Sequence, residues 1–311
     1  MLRWIKLVFA VAIVAVVGSM GTAAEATHFS AWAPAQKVDE IAGNSPELNT
    51  PFLDGCPIQS PSGLSLYLAS NRPGGLGGLD IWVAHRESTD VPFGAPENLG
   101  EPVNSAADDF CPTPVRGGGL YFVSRKITGE SCGLGDIYFA RLNPAHGWVA
   151  PRHLACAPNG PNSGLDEMGP SYVEIDGRAL LYFSSSSASV PGDIYVSERL
   201  ADASFGPAAP VSGLNSAGND IQPNVRKDGR ELVFSSSHPY PGAQGGQDLY
   251  VSTRMSVDDA WSAPVNLGAA VNTGAAETRP SFSWDAQALL FGRGPGPEGM
   301  SDIYLATRGT L

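Results

Sequence analysis

The sequence predicts an all-β fold, a five-bladed β-propeller with four antiparallel strands per blade, and three observations carry that expectation. First, one frame returns five times: Asn, then Ser or Thr, three free positions, Asp or Glu, two free positions, Pro. The copies run Asn49–Pro57, Asn104–Pro112, Asn162–Pro170, Asn215–Pro223 and Asn272–Pro280, with prolines 55, 58, 53 and 57 residues apart. Second, an Asp-aliphatic-aromatic triplet follows each proline by 22 to 25 residues: Asp80-Ile81-Trp82, Asp136-Ile137-Tyr138, Asp193-Ile194-Tyr195, Asp248-Leu249-Tyr250 and Asp302-Ile303-Tyr304. Third, the last repeat stops after its triplet, while residues 29–41, with Trp32, Pro34 and Val38, read as a fourth strand placed before the first frame. So regular a period means one supersecondary module per repeat, each burying its apolar face on its neighbours. One strand missing at one end and one surplus at the other predicts a ring closed by its termini, which leaves no open edge.

The elements follow in order. Arg3 and Lys6, the apolar run Leu7 to Val17 and the small residues ending in Ala24-Glu25-Ala26 describe a cleavable secretory signal over residues 1–26. The apolar run is too short for the roughly 20 residues of a spanning helix. Residues 27–311 are expected to form one propeller: a closing strand at 29–41, then repeats starting near 49, 104, 162, 215 and 272. In each repeat the frame proline begins an inner strand that ends in a turn such as Pro61-Ser62-Gly63 or Asp228-Gly229. A strongly apolar second strand follows, as in Leu66-Tyr67-Leu68 or Leu181-Tyr182-Phe183, and a Gly-rich loop leads to the triplet strand. The fourth strand carries an aromatic, a proline and an aliphatic, as in Trp148/Pro151/Leu154 and Trp261/Pro264/Leu267. The 37 glycines and 26 prolines recur in phase, which marks them as turn punctuation rather than disorder.

Removing Arg3, Lys6 and Glu25 with the signal from the 19 basic and 31 acidic residues leaves 17 against 30, a net charge near −13. Such a surface repels nucleic acid and anionic membrane. The expectation is an exported monomer, periplasmic or secreted, with no transmembrane segment after cleavage, no nucleic-acid partner and no cofactor.

The segments SNRPGGLGGLDIWVAHR, APENLGEPVNSAADDF and DIYVSERLADASFGPAAPVSGLNS resemble the TolB-type, WD-like propeller repeats of bacterial envelope proteins. The resemblance covers the whole of residues 27–311. It implies a propeller that binds another envelope protein, without the extra N-terminal domain of TolB or an OmpA-like domain.

Candidate sites divide into repeated and unrepeated positions. Antiparallel connectivity brings the frame carboxylates Asp54, Asp109, Glu167, Asp220 and Glu277 to one rim as an axial ring. They read first as local hydrogen-bond acceptors, because a group needed once need not recur in every blade and crowded carboxylates repel. A cation site is the other reading. Departures from the repeat lie in the loops between strands two and three. Arg72 of the Ser-x-Arg-Pro-Gly-Gly segment is replaced by Lys126, Ser187, His238 and Pro295 in the other blades, and Arg293 takes the preceding Ser position. Arg72, Lys126, His238, Tyr240 and Arg293 are therefore the candidate binding residues, since loops on a rigid scaffold carry function. Four cysteines in an exported chain favour disulfides, with three possible connectivities. Cys132 and Cys156 belong to loops that meet at the rim of blade 2 and are the preferred pair. Cys56 with Cys111, on adjacent inner strands, is the harder one, since Cα atoms must come within roughly 7 Å. No CxxC spacing supports zinc.

The five histidines are scattered, and neither H-x-x-x-H nor G-x-S-x-G occurs. These residues favour a non-catalytic propeller that binds a protein or small polar ligand through its rim loops. The alternative is a glycan-active hydrolase with axial carboxylates, which would place two of them about 5–9 Å apart.

Overall fold

The computed structural model describes residues 29–311, so the signal expected over residues 1–26 lies outside the described residues. Five antiparallel sheets follow one another around an axis. Blade 1 holds Asp54–Gln59, Ser65–Ser70, Asp80–His85 and Glu97–Asn98. Blade 2 holds Asp109–Val115, Gly119–Ser124, Asp136–Asn143 and Arg152–His153, with Gly147–Trp148 as an extra strand on its third. Blade 3 has the longest strands, Asp166–Ile175, Arg178–Ser187 and Val190–Glu198, then Ala209–Pro210. Its second and third strands meet in a tight hairpin, with Ser187 opposite Val190, so the Gly-rich loop expected there is absent. Blade 4 holds Asp220–Val225, Glu231–Ser236, Asp248–Thr253 and Val265–Asn266. Blade 5 takes Ala276–Phe282, Ala288–Gly294 and Asp302–Thr307 from the C-terminal end. Its outer strand is Gln36–Lys37, paired with Leu305 and Tyr304, which closes the ring. Lys37 is buried there among Asp39, Glu40, Glu298 and Asp302.

The recurring Asn joins the blades. Asn104 accepts from the Ile81 N–H (2.9 Å) and donates to the Ile81 carbonyl (2.9 Å), both on the preceding blade's triplet. Asn162 on Ile137, Asn215 on Ile194 and Asn272 on Leu249 repeat the bond pair, and Asn49 closes the circle on Ile303. Each Asn meets a backbone donor and acceptor that would otherwise be buried unpaired, which explains its place in the frame. The triplet aspartates of blades 1, 2, 4 and 5 fasten loops: Asp80, for example, accepts from the N–H groups of Leu76 and Gly77 and from Asn98. Apolar packing lies between blades, as where Leu48, Leu66, Leu68 and Trp82 meet Leu290 and Ile303.

Candidate functional site

The inner strands have two ends, and the frame carboxylates occupy their starts. All five are fully buried. Thr50 donates to Asp54 from N–H and hydroxyl (both 2.6 Å), and Ser105 and Ser216 do the same for Asp109 and Asp220. Ser163 and Thr273 hold Glu167 and Glu277. The end of strand two supplies further partners: Arg72 to Asp54 (2.5 Å), Ser185 to Glu167 (2.9 Å), Ser236 to Asp220 (2.6 Å) and Arg293 to Glu277 (2.7 Å). Burial raises the pKa of Asp109, Glu167 and Glu277 against these bonds. The five carboxylates are thus each held by hydrogen bonds within their own blade, and Asp109 also borders the cleft beside Lys126.

The candidate rim residues are placed unevenly. Arg72 is only 8% exposed and paired, so it is not a free rim cation. Arg293 is likewise spent on Glu277 and the Val271 carbonyl. His238 and Tyr240 are half-buried and pack ring against ring at 4.3 Å. Lys126 is exposed beside a cleft of about 220 Å³ with Thr128, Glu130 and His153. Among these five only His238 and Tyr240 are in ring contact. Nearby, Cys132, Asp136 and His153 converge within 4.8 Å, but the Cys132 sulfur is bonded to Cys156 and His153 bonds Asp136 at 3.0 Å.

Two residues beyond each carboxylate, every inner strand bulges at a residue with positive φ just before the frame proline: Cys56, Cys111, Gly169, Gln222 and Arg279. These form the waist of the axis. Cys56 is bonded to Cys111 with Cα atoms 4.8 Å apart. A Cβ on Gly169 would stand 2.8 Å from the Gln222 Cα, which accounts for glycine there. Gln222 accepts from the Arg279 N–H (3.1 Å), and the Arg279 guanidinium runs over Gly55. Burial, with Arg125 nearby, lowers the Arg279 pKa to about 10. The waist leaves about 30 Å³.

Beyond the waist, at the ends of the inner strands, the axis opens into a pocket of about 430 Å³. The fourth residue after each frame proline faces it: Pro61, Arg116, Glu174, Lys227 and Trp284, one per blade. Tyr121, Phe139 and Tyr172 form an aromatic wall, with ring centroids 4.7 and 5.2 Å apart. The Tyr172 hydroxyl donates to Glu174 and accepts from Arg199 (3.1 Å), whose guanidinium lies 3.8 Å from Glu174. Burial and the bond to Glu174 raise the Tyr172 pKa, so the phenol keeps its proton at neutral pH. Burial likewise pushes Tyr121 up to about 12. Glu174 is the single carboxylate among the pocket's lining residues. Sequence reasoning missed this pocket. Its signal was the position four residues after each proline, fixed in register but different in chemistry in every blade.

A closed propeller with a blocked waist and one aromatic, charged axial pocket is the class that fold and site define. No family model matches the chain, and no curated relative matches it. Solved structures do. The chain is similar to an alpha-L-arabinofuranosidase from Lactobacillus brevis, at 12% identity and TM-score 0.56, covering 82% of this chain and 90% of that one. It is similar to the catalytic domain of a Coprinopsis cinerea GH62 alpha-L-arabinofuranosidase, at 13% identity and TM-score 0.55, covering 90% and 98%. A Bacillus licheniformis GH43 endo-arabinanase matches at 14% identity and TM-score 0.54, covering 84% and 94%. Identities this low establish a shared fold. They still correct two expectations. The resemblance to TolB-type repeats does not hold, because these neighbours are glycoside hydrolase propellers. The non-catalytic binder acting through rim loops falls with it; of the rim candidates, Arg72 and Arg293 are each held in an ion pair with a frame carboxylate.

Two disulfides, and no described helix long and apolar enough to cross a membrane, are consistent with an exported protein.

Proposed function

We propose that this protein is an exported glycan-active hydrolase, periplasmic or secreted after loss of residues 1–26, working in the pocket at the ends of its inner strands. The neighbours named for hydrolysis of arabinose-containing glycans share its fold, and this supports the class of activity. The observation that carries the reading is the Tyr172–Glu174 couple at the mouth of a pocket that can hold a sugar ring.

Most glycosidases flank the scissile bond with two carboxylates, and those with a tyrosine nucleophile are an exception. Glu174 stands alone in the pocket, so the exception is the arrangement its residues suit. Tyr172 Oη would attack the anomeric carbon while its proton passes to Glu174, and the glycosidic C–O bond breaks. The leaving oxygen takes that proton from Glu174 through a water at the open mouth, which returns Glu174 to its carboxylate. Water then attacks the anomeric carbon, the bond from that carbon to Tyr172 Oη breaks, and the water's proton goes to Tyr172 Oη as the sugar is released. Arg199 stabilises the charge that develops on the phenol oxygen, a role for a cation held in place beforehand.

The test is turnover of a panel of chromogenic glycosides and polysaccharides, arabinan, xylan and uronate-containing polymers among them. Hydrolysis is expected for at least one substrate, with a loss of more than about 100-fold in Tyr172→Phe and Glu174→Gln at unchanged Tm. No hydrolysis of any substrate, or full activity in both variants, would overturn the proposal.

A further inference from the structure

The pocket's charge runs against that of the molecule. The chain carries a net charge of −12, yet the titratable side chains lining this pocket, apart from its tyrosines, are Arg116, Arg141, Arg199, Arg226 and Lys227 against Glu174 alone. Two of these cations have their charge already answered: Arg226 by Asp228 (2.6 Å) and Glu231 (2.8 Å), and Arg199 in part by Glu174. Arg116, Arg141 and Lys227 form no ion pair with any described residue. Arg116 and Lys227 stand over the Trp284 ring at 4.4 and 5.4 Å. An aromatic face orients a cation without cancelling its charge, so the indole holds two positive groups at the mouth while leaving them able to meet an anion. Asp285 accepts from Ser283 (2.6 Å) and from the Gln287 N–H (3.1 Å), and its field reaches Lys227 without forming an ion pair. On an acidic surface, three exposed cations gathered in one concave site without an ion pair repel one another, and stacking two of them on Trp284 leaves that repulsion without a full return to the fold. A ligand of opposite charge supplies that return, and a cleft of one sign focuses its field on such a ligand.

We infer that the saccharide bound here is anionic, a sugar chain bearing carboxylate or sulfate groups that meet Arg116, Arg141 and Lys227 while one ring lies against Tyr172 and Glu174. This rests on reading the pocket as a saccharide site, and it narrows that reading. Guanidinium groups pair with either anion through two parallel N–H bonds, so the chemistry is common to both sources. Neutral arabinan-type chains would leave the three cations unanswered.

Calorimetric titration of the full chain with matched oligosaccharides tests this, using oligogalacturonide for the carboxylate, a sulfated oligosaccharide for the sulfate and arabino-oligosaccharide as the neutral chain. At least one anionic chain is expected to bind more than about 10-fold tighter than the neutral one, and the preference should shrink as salt rises from 50 to 500 mM, assay values at which screening goes from partial to near-complete on the order of the contact distances involved. The double variant Arg116→Ala/Lys227→Ala should abolish the preference at unchanged Tm, since both side chains are exposed. Whichever anionic arm binds identifies the group. Equal or better binding of the neutral chain, or a preference that survives the double variant, would overturn the inference. Turnover of a neutral glycan with no anionic preference would sink the inference and leave the hydrolase standing, whereas anionic binding without turnover of any glycan would do the reverse.

Discussion

The two ends of the inner strands use the same five-fold register for opposite purposes. At the starts stands one chemical type, Asp or Glu, in every blade, each fully buried and bonded to the hydroxyl of its own frame. At the far ends the register is kept but the chemistry changes from blade to blade: Pro61, Arg116, Glu174, Lys227 and Trp284. A position that repeats in place and in kind serves every blade alike and belongs to the scaffold. A position that repeats in place but not in kind builds an asymmetric surface on a symmetric frame, as a site for one ligand requires.

The contrast can be broken first at the carboxylate end. Arg72→Ala leaves the Asp54 carboxylate buried without its cation and is expected to cost about 3–5 kcal/mol in urea unfolding, the usual penalty for orphaning one member of a buried pair. A cost under about 1 kcal/mol would mean that Arg72 is dispensable to the scaffold and free for other work.

A smaller effect sharpens the same point through pH. Burial holds the folded-state pKa of Asp109 above its unfolded value, and one of its oxygens has no partner. The native state therefore binds this proton more tightly than the unfolded chain does. Its favourable contribution is complete below the unfolded pKa and is lost as pH rises through the folded one. Asp109→Asn removes that loss, so the Tm of the variant relative to the parent should climb as pH rises through the acid range and level off by neutrality. A relative Tm that falls with rising pH would show that Asp109 is held as a stabilised anion.

The fold was legible because each of its joints is a short-range pattern. The Asn of the frame must reach the triplet of the preceding blade, the Ser or Thr must cap the carboxylate four residues on, and a surplus strand at residues 29–41 must find the blade that lacks one. Those needs impose residue type and spacing together. The waist was half legible: Cys56 and Cys111 share a repeat position, yet only the bulge before each proline, with its left-handed residue, shows why that position and not the carboxylate faces the axis. Blade 3 misled, since its Asp193 sits behind a tight hairpin and fastens no Gly-rich loop. The pocket was not read at all, because Arg116 and Glu174 share a register but no residue type with their counterparts, and they meet Tyr172 only when five strands converge. Arg72 and Arg293 read as binding residues of the rim loops, and each pairs with the carboxylate at the start of its own blade's inner strand.

The central claim is that the molecule works at the variable end of its inner strands. A crystal structure with whichever saccharide proves to bind most tightly tests it directly. The account predicts density in the axial pocket, with one ring against Tyr172 and Glu174 and the chain passing Arg116 and Lys227 at Trp284. Density at the opposite rim, beside Lys126 or between His238 and Tyr240 with the pocket empty, would contradict it.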